Sequence, residues 1–199
     1  MSPRRSAAEA AETRSAIVER AVELASTQGL EGLTIGRLAA DVRMSKAGVI
    51  GHFGTKERLQ LAAMQAALDI SRREIWDRAA GAPPGLERLR AVCDAWLSYF
   101  DRDVFPGGCF LTAASCEFDD REGPVHDLVA SAMRGWLHTL AREVRTAVEQ
   151  DELPTDTDPA QVAFELNAIA MGANQQIRLL DDRGGLERAR RAMGRALSD

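Results

Sequence analysis

The chain has 199 residues, a formal net charge of −5, 45% hydrophobic and 28% charged residues, a balance that fits an ordinary globular protein and excludes a disordered or fibrous one. The N-terminus MSPRRSAAEAAETR lacks the apolar run of a secretory signal, and the longest uncharged run, VFPGGCFLTAASC, is too short and too broken by Pro and Gly to span a bilayer; a cytoplasmic protein with no membrane contact is expected. Charge is uneven: residues 1–58 carry nine basic and seven acidic side chains, whereas the remainder carries sixteen and twenty-three, so polyanion binding is confined to a local patch in the N-terminal piece.

Helical periodicity runs through the chain and no strand pattern competes with it. A first helix is expected over 8–28, with Ile17, Ala21, Leu24 and Ala25 on one face and Gly29 as its C-cap. Thr34 stands where an N-cap should, ahead of the periodic Ile35, Leu38, Ala39 and Val42. After a break at Arg43-Met44, Ser45 caps a short helix to about His52. Gly54-Thr55 interrupts again, and Lys56 opens a long helix to about Ala80. Beyond the break GAPPG, helices are expected at 86–102, 108–118, 124–151, 159–181 and 186–197, separated by DVFPGG, DDREGP, ELPTDTDP and DDRGG. The fold class is all-α with about nine helices. A small N-terminal domain, 8–55, precedes a larger helical domain, 56–199.

Three short helices with a tight turn between the second and third are the units of a helix-turn-helix. Val42, Val49 and Phe53 close its small core. Ser45, Lys46, Ala47, Gly48, Gly51 and His52 remain for the outer face of the third helix, where small residues admit a close backbone and polar ones supply donors to DNA. Of 25 basic residues only Lys46 and Lys56 are lysines, and each begins a helix flanking this segment, so both are expected to clamp phosphate.

On Gly29, on Thr34 with Leu38-Ala39, and on the run SKAGVIGHFGTKERL, the N-terminal piece resembles the TetR family of transcriptional regulators, whose pattern here is close to S-K-G-T-L-Y-x-x-F-x-S-K-E-x-L. The resemblance implies an N-terminal DNA-binding head in which Thr34, Arg43, Ser45, Lys46, Ala47, Gly48, Gly51, His52 and Lys56 face DNA. It also implies a helical body that binds a ligand and dimerises. Two departures stand out: Arg43 replaces the usual turn glycine, and Ile50 replaces a tyrosine whose hydroxyl contacts phosphate in the family. Ile50 either points outward or packs inward against Val42 and Phe53.

In the body, the aromatic and Met residues Trp96, Phe100, Phe110, Met133 and Trp136, with Asn174, are candidates for the wall of a small-molecule pocket. Between Val162 and Ala173 only Glu165 and Asn167 are strongly polar, so that helix has one face for its own core and one for a partner. Phe164, Ala168, Met171, Gly172, Leu186 and Met193 are assigned to a homodimer interface. Cys93, Cys109 and Cys116 read as small buried hydrophobes. Glu117, Asp119, Asp120 and Glu122, beside Gly-Pro, read as a solvated loop. No ExxH, HxxxH or CxxC motif suggests a metal, a cofactor or an enzyme. The expected function is a repressor that releases double-stranded operator DNA on binding a small apolar or aromatic effector. The competing possibility is a helical small-molecule sequestering protein with a weak DNA-binding head.

Overall fold

The computed structural model of the protein describes residues 7–198, and among these nine helices account for the whole architecture, with no strand. Arg4 and Arg5 of the basic N-terminal count lie outside the described residues. Helix α1, Ala7–Gly32, is broken near its end by Gly29, whose φ of 78° is one that glycine alone adopts freely. Helices α2, Ile35–Asp41, and α3, Lys46–Phe53, follow the expected caps. The Thr34 hydroxyl accepts from Arg37 N at 3.3 Å, and the Ser45 hydroxyl accepts from Gly48 N at 3.0 Å. Ile17, Ala21, Leu24 and Ala25 are all buried, and Leu38, Ala39, Val49 and Phe53 complete the core of the head. Arg43 sits in the turn with φ 54°, a left-handed conformation that costs a non-glycine residue about 1–2 kcal/mol.

Helix α4 starts at Lys56, capped by Thr55, and is α-helical over Lys56–Ser71. It then widens into a π-helical turn, Arg72–Trp76, and closes with Asp77–Ala79. It packs on α1 at one end and on the body at the other. The body continues with α5, Leu86–Asp101; α6, Phe110–Phe118; α7, Pro124–Glu149; α8, Pro159–Leu180; and α9, Gly184–Ala196. Pro at the first turn of α7 and of α8 fixes where each begins, and the Asp158 carboxylate accepts from Ala160 N at 2.8 Å. The body core is a chain of aromatic contacts. Trp96 meets Trp136 edge-on at 4.9 Å, and Tyr99, Phe100, Phe105 and Phe110 extend it at 5.5–5.9 Å.

Two burial expectations fail. Cys93 and Cys109 are buried, and burial pushes the Cys93 thiol up to about 12, but Cys116 is exposed because it lies on the outer side of the short α6. Met193 is fully buried against its own chain, where α9 lies along α8. Packing within one chain therefore consumes the apolar side of α9.

Candidate functional site

The head presents α3 outward. Ser45, Lys46, Ala47 and Gly51 are exposed, and Gly48 and His52 are half-buried. Lys46 is the first residue of α3 and makes no ion pair among the described residues. Its aliphatic stem lies against Gly36 of α2, where even a methyl group would stand 3.1 Å from its Cε. Ile50 is 44% exposed, so it points away from Val42 and Phe53 and adds an apolar patch to the same face. Arg14 stacks over the Phe53 ring at 4.9 Å, and Arg20 bridges α1 to Asp41 of α2 at 2.8 Å, fixing the outer helix of the head against the inner pair.

Lys56 is elsewhere. Its ammonium turns back to the end of α1, donating to Glu31 O at 2.8 Å and approaching the Glu31 carboxylate at 3.3 Å. An ammonium satisfied this way is a structural tie, and the expected phosphate clamp at Lys56 is corrected accordingly. Gln60, buried, adds a donor to Leu30 O at 2.8 Å and to the same carboxylate at 3.0 Å. The Gln60 amide, then Lys56 and Arg121, hold the Glu31 carboxyl below its ordinary range. Its contribution to this joint is therefore complete at neutral pH and is lost as acid protonates it at a pH below that range.

The other half of the joint comes from the body. Breaking α1 at Gly29 frees the N–H groups of Leu30 and Glu31, and both donate to Glu117 at the far end of α6, at 2.8 Å each. The assignment of Glu117 to a solvated loop is thus wrong, whereas Asp119, Asp120 and Glu122 are exposed as expected. Local sequence carries no sign of this contact, since 87 residues separate Leu30 from Glu117. The start of α6 is tied as well. Gly107 N donates to Ser26 Oγ of α1 at 2.8 Å, and Cys109 N donates to Asn174 Oδ1 of α8 at 2.9 Å.

A cavity of about 470 Å³ lies between α4, α5, α6, α7 and α8. Trp96, Met133 and Trp136 line it as expected. Phe100 and Phe110 pack in the core behind its wall, and Asn174 is occupied at the start of α6, so these three are corrected. Tyr99 and Thr112 also stand on the wall, and sequence reasoning missed Leu111, Arg142 and the π-helical turn, which brings Arg72, Ile75 and Trp76 there. The Arg142 guanidinium stacks over Trp76 at 5.6 Å and pairs with Glu143 at 3.0 Å. A register shift inside a helix leaves no mark on hydrophobic period over so few residues.

On the outside of the body, α8 exposes Phe164, Ala168 and Gly172 in a helical stripe, with Met171 half-buried beside it and Leu186 half-buried on α9. Phe164 is 63% exposed, and Leu179 and Leu180 at the end of the helix, not assigned from sequence, are 72% and 64% exposed. Neither Gly172 nor Gly194 of α9 has any atom within 4 Å of the place a Cβ would occupy.

A helix-turn-helix head on a helical body with an internal cavity defines a class of DNA-binding regulators. Comparison with known proteins gives the same class. The family described as "Bacterial regulatory proteins, tetR family" matches residues 17–63, and "Tetracyclin repressor-like, C-terminal domain" matches residues 85–193. Among relatives, the HTH-type transcriptional regulator SrpR of Pseudomonas putida is 29% identical over 160 residues, 78% of this chain and 70% of its own. A TetR transcriptional regulator from Chloroflexus aurantiacus superposes with a TM-score of 0.88 at 27% identity, covering 94% of this chain and 95% of the other. AibR, solved with isovaleryl coenzyme A and operator DNA, superposes with a TM-score of 0.71 at 24% identity, covering 94% and 98%. The chain belongs to the TetR family of transcriptional regulators.

Proposed function

We propose that this regulator is a homodimeric repressor whose hold on a pseudo-palindromic operator is released when a small apolar or aromatic molecule fills the body cavity. The observation that carries the reading is α6, which joins the two sites. Its first turn, with Cys109, Leu111 and Thr112, forms cavity wall, and Glu117 in its last turn holds the frayed end of α1 just before α2. A ligand that displaces the start of α6 bears on the Leu30–Glu31 joint and so on the angle of α3, giving the two sites a shared, reciprocal coupling energy. AibR supplies a precedent within the same fold, having been solved with both a ligand and operator DNA. The exposed stripe of α8, with the edge of α9, supplies the dimer surface, and residues 8–55 supply the reading head.

Fluorescence anisotropy on DNA flanking the protein's own gene tests the reading, with and without a panel of aromatic ligands. Lys46→Ala is expected to weaken binding to specific and random duplexes alike and to flatten the log–log salt dependence by about 0.9 per lost phosphate contact and half-site. A wild type that binds no duplex at low salt overturns the repressor and leaves the sequestering protein. An unchanged salt slope in Lys46→Ala removes Lys46 from the phosphate contacts.

The exposure of Ile50 sets a further expectation. Ile50→Tyr places a hydroxyl on the DNA face without filling the head core, so the melting temperature stays the same. A hydrogen bond to a charged phosphate contributes about 1.5–3 kcal/mol, so affinity rises by roughly ten- to a hundredfold per half-site. Because the contact is to the backbone, the ratio of specific to random binding stays nearly constant. Destabilisation with no gain in affinity would return Ile50 to the core.

A further inference from the structure

Three residues of the cavity wall carry buried donors without acceptors. Trp96 Nε1, Tyr99 Oη and Trp136 Nε1 are buried, belong to three neighbouring residues of the wall, and make no hydrogen bond. An indole N–H can only donate, so no rearrangement of the two tryptophans with each other satisfies either. Tyr99 is 1% exposed, and burial holds its phenol well above the usual range, which keeps it a neutral O–H donor at any physiological pH. Its hydroxyl lies beside Ser71 and the backbone of Phe110 without closing a bond to either, while the Ser71 hydroxyl is directed to Ala67 O at 2.9 Å. Native interiors leave few buried donors unpaired, and three on one cavity wall form a concentration of unmet demand.

The charged groups at the cavity already have partners. Arg142 pairs with Glu143 at 3.0 Å and Arg72 with Asp77 at 3.8 Å, and Asp69, also on the wall, accepts from Gln65 at 3.1 Å. The unpaired buried groups of the wall are all neutral donors. They call for an uncharged acceptor on an apolar body that fits among Trp76, Trp96 and Trp136.

Resting on the cavity reading above, we propose that the effector is a neutral aromatic or polycyclic carbonyl compound, a ketone, quinone or lactone, whose oxygen accepts from the Trp96, Tyr99 and Trp136 donors. Those donor atoms are buried and expose almost no surface to the cavity, so a ligand oxygen reaches them only as the edge-to-face pair of Trp96 and Trp136 parts. Tryptophan fluorescence reports the opening. A hydrocarbon of the same shape fills the volume and leaves the donors unmet, which makes the carbonyl the specificity element.

Titration of the full-length dimer with 2-acetylnaphthalene and with 2-ethylnaphthalene, by calorimetry and by tryptophan fluorescence, separates shape from acceptor. The ketone is expected to bind about tenfold tighter than the hydrocarbon, the worth of one satisfied buried donor. Tyr99→Phe, Trp96→Phe and Trp136→Phe each remove one donor, and at least one of them is expected to abolish that preference while hydrocarbon binding persists. Tyr99→Phe alone, in the unliganded protein, is expected to keep or raise the melting temperature, because it removes an unpaired hydroxyl; a lower one shows that the hydroxyl was already satisfied and overturns the inference. Equal binding of the two probes, with a ratio no variant changes, overturns it too while leaving the cavity a ligand site. Binding of neither probe removes the cavity reading itself, and this inference with it.

Discussion

Gly172→Glu is expected to yield a helical, monomeric protein that no longer holds operator-length DNA. In a single chain Gly172 faces open space, so the new side chain meets nothing and the helix gains about 0.5 kcal/mol of intrinsic propensity over glycine. Across the proposed interface the same position lies in a stripe with Phe164 and Ala168, where two copies of α8 approach through their smallest residues. Two carboxylates meeting there are both desolvated and mutually repelled. Losing the dimer turns two linked half-site contacts into one, which lowers operator affinity by roughly 10²–10⁴-fold through effective concentration alone. Light scattering gives the mass, circular dichroism the helicity and anisotropy the affinity. A variant that stays dimeric moves the interface away from Gly172, and a wild type that is monomeric removes it altogether.

Gly107→Ala should be the most destabilising single methyl in the chain. A Cβ at this position would overlap the carbonyl of Ser26 in α1, and backbone at both sides leaves no rotamer to move. The same residue donates to Ser26 Oγ at 2.8 Å, so any retreat of the loop also opens that bond. Overpacking of this kind costs about 3 kcal/mol. For a domain of this size that lowers the melting temperature by about 6–12 °C. The loop leads directly into α6, so the variant should also loosen the Glu117 joint and weaken the head's hold on DNA more than stability alone accounts for. Gly81→Ala, with nothing within 4 Å, is the matched control. A Gly107→Ala protein as stable as that control would mean that α1 and the loop before α6 part freely.

Much of this protein follows from local chemistry that a linear sequence displays. Thr34, Ser45 and Thr55 precede apolar-periodic segments and cap them through their own hydroxyls, because an N-cap needs only a side chain two or three residues from a free N–H. Gly29 ends the regular part of α1 for an equally local reason, its positive φ. Helix limits, the all-α class and the outward face of α3 depend on period and capping, so they were legible. The unpartnered stripe at Phe164, Ala168 and Gly172 was legible too, because a helix apolar on two sides has more surface than one core can cover.

What needed tertiary structure was the choice among partners that all look alike in sequence. Lys46 and Lys56 both begin helices, yet only the position of Glu31, 25 residues away, turns the Lys56 ammonium inward, while Lys46 makes no ion pair among the described residues. Glu117 among its three acidic neighbours, Asn174 in an apolar helix, and Tyr99 beside Phe100 are distinguished by where α6 lies, and hydrophobic period is blind to that. Met193 and Phe164 are both apolar helix residues, and only the way α9 packs along α8 buries one and exposes the other. Composition and period thus determined which helices form and how much apolar surface they carry. The packing of those helices decided which donors find acceptors, because hydrogen bonds reach about 3 Å and so depend on distances between segments far apart in the chain.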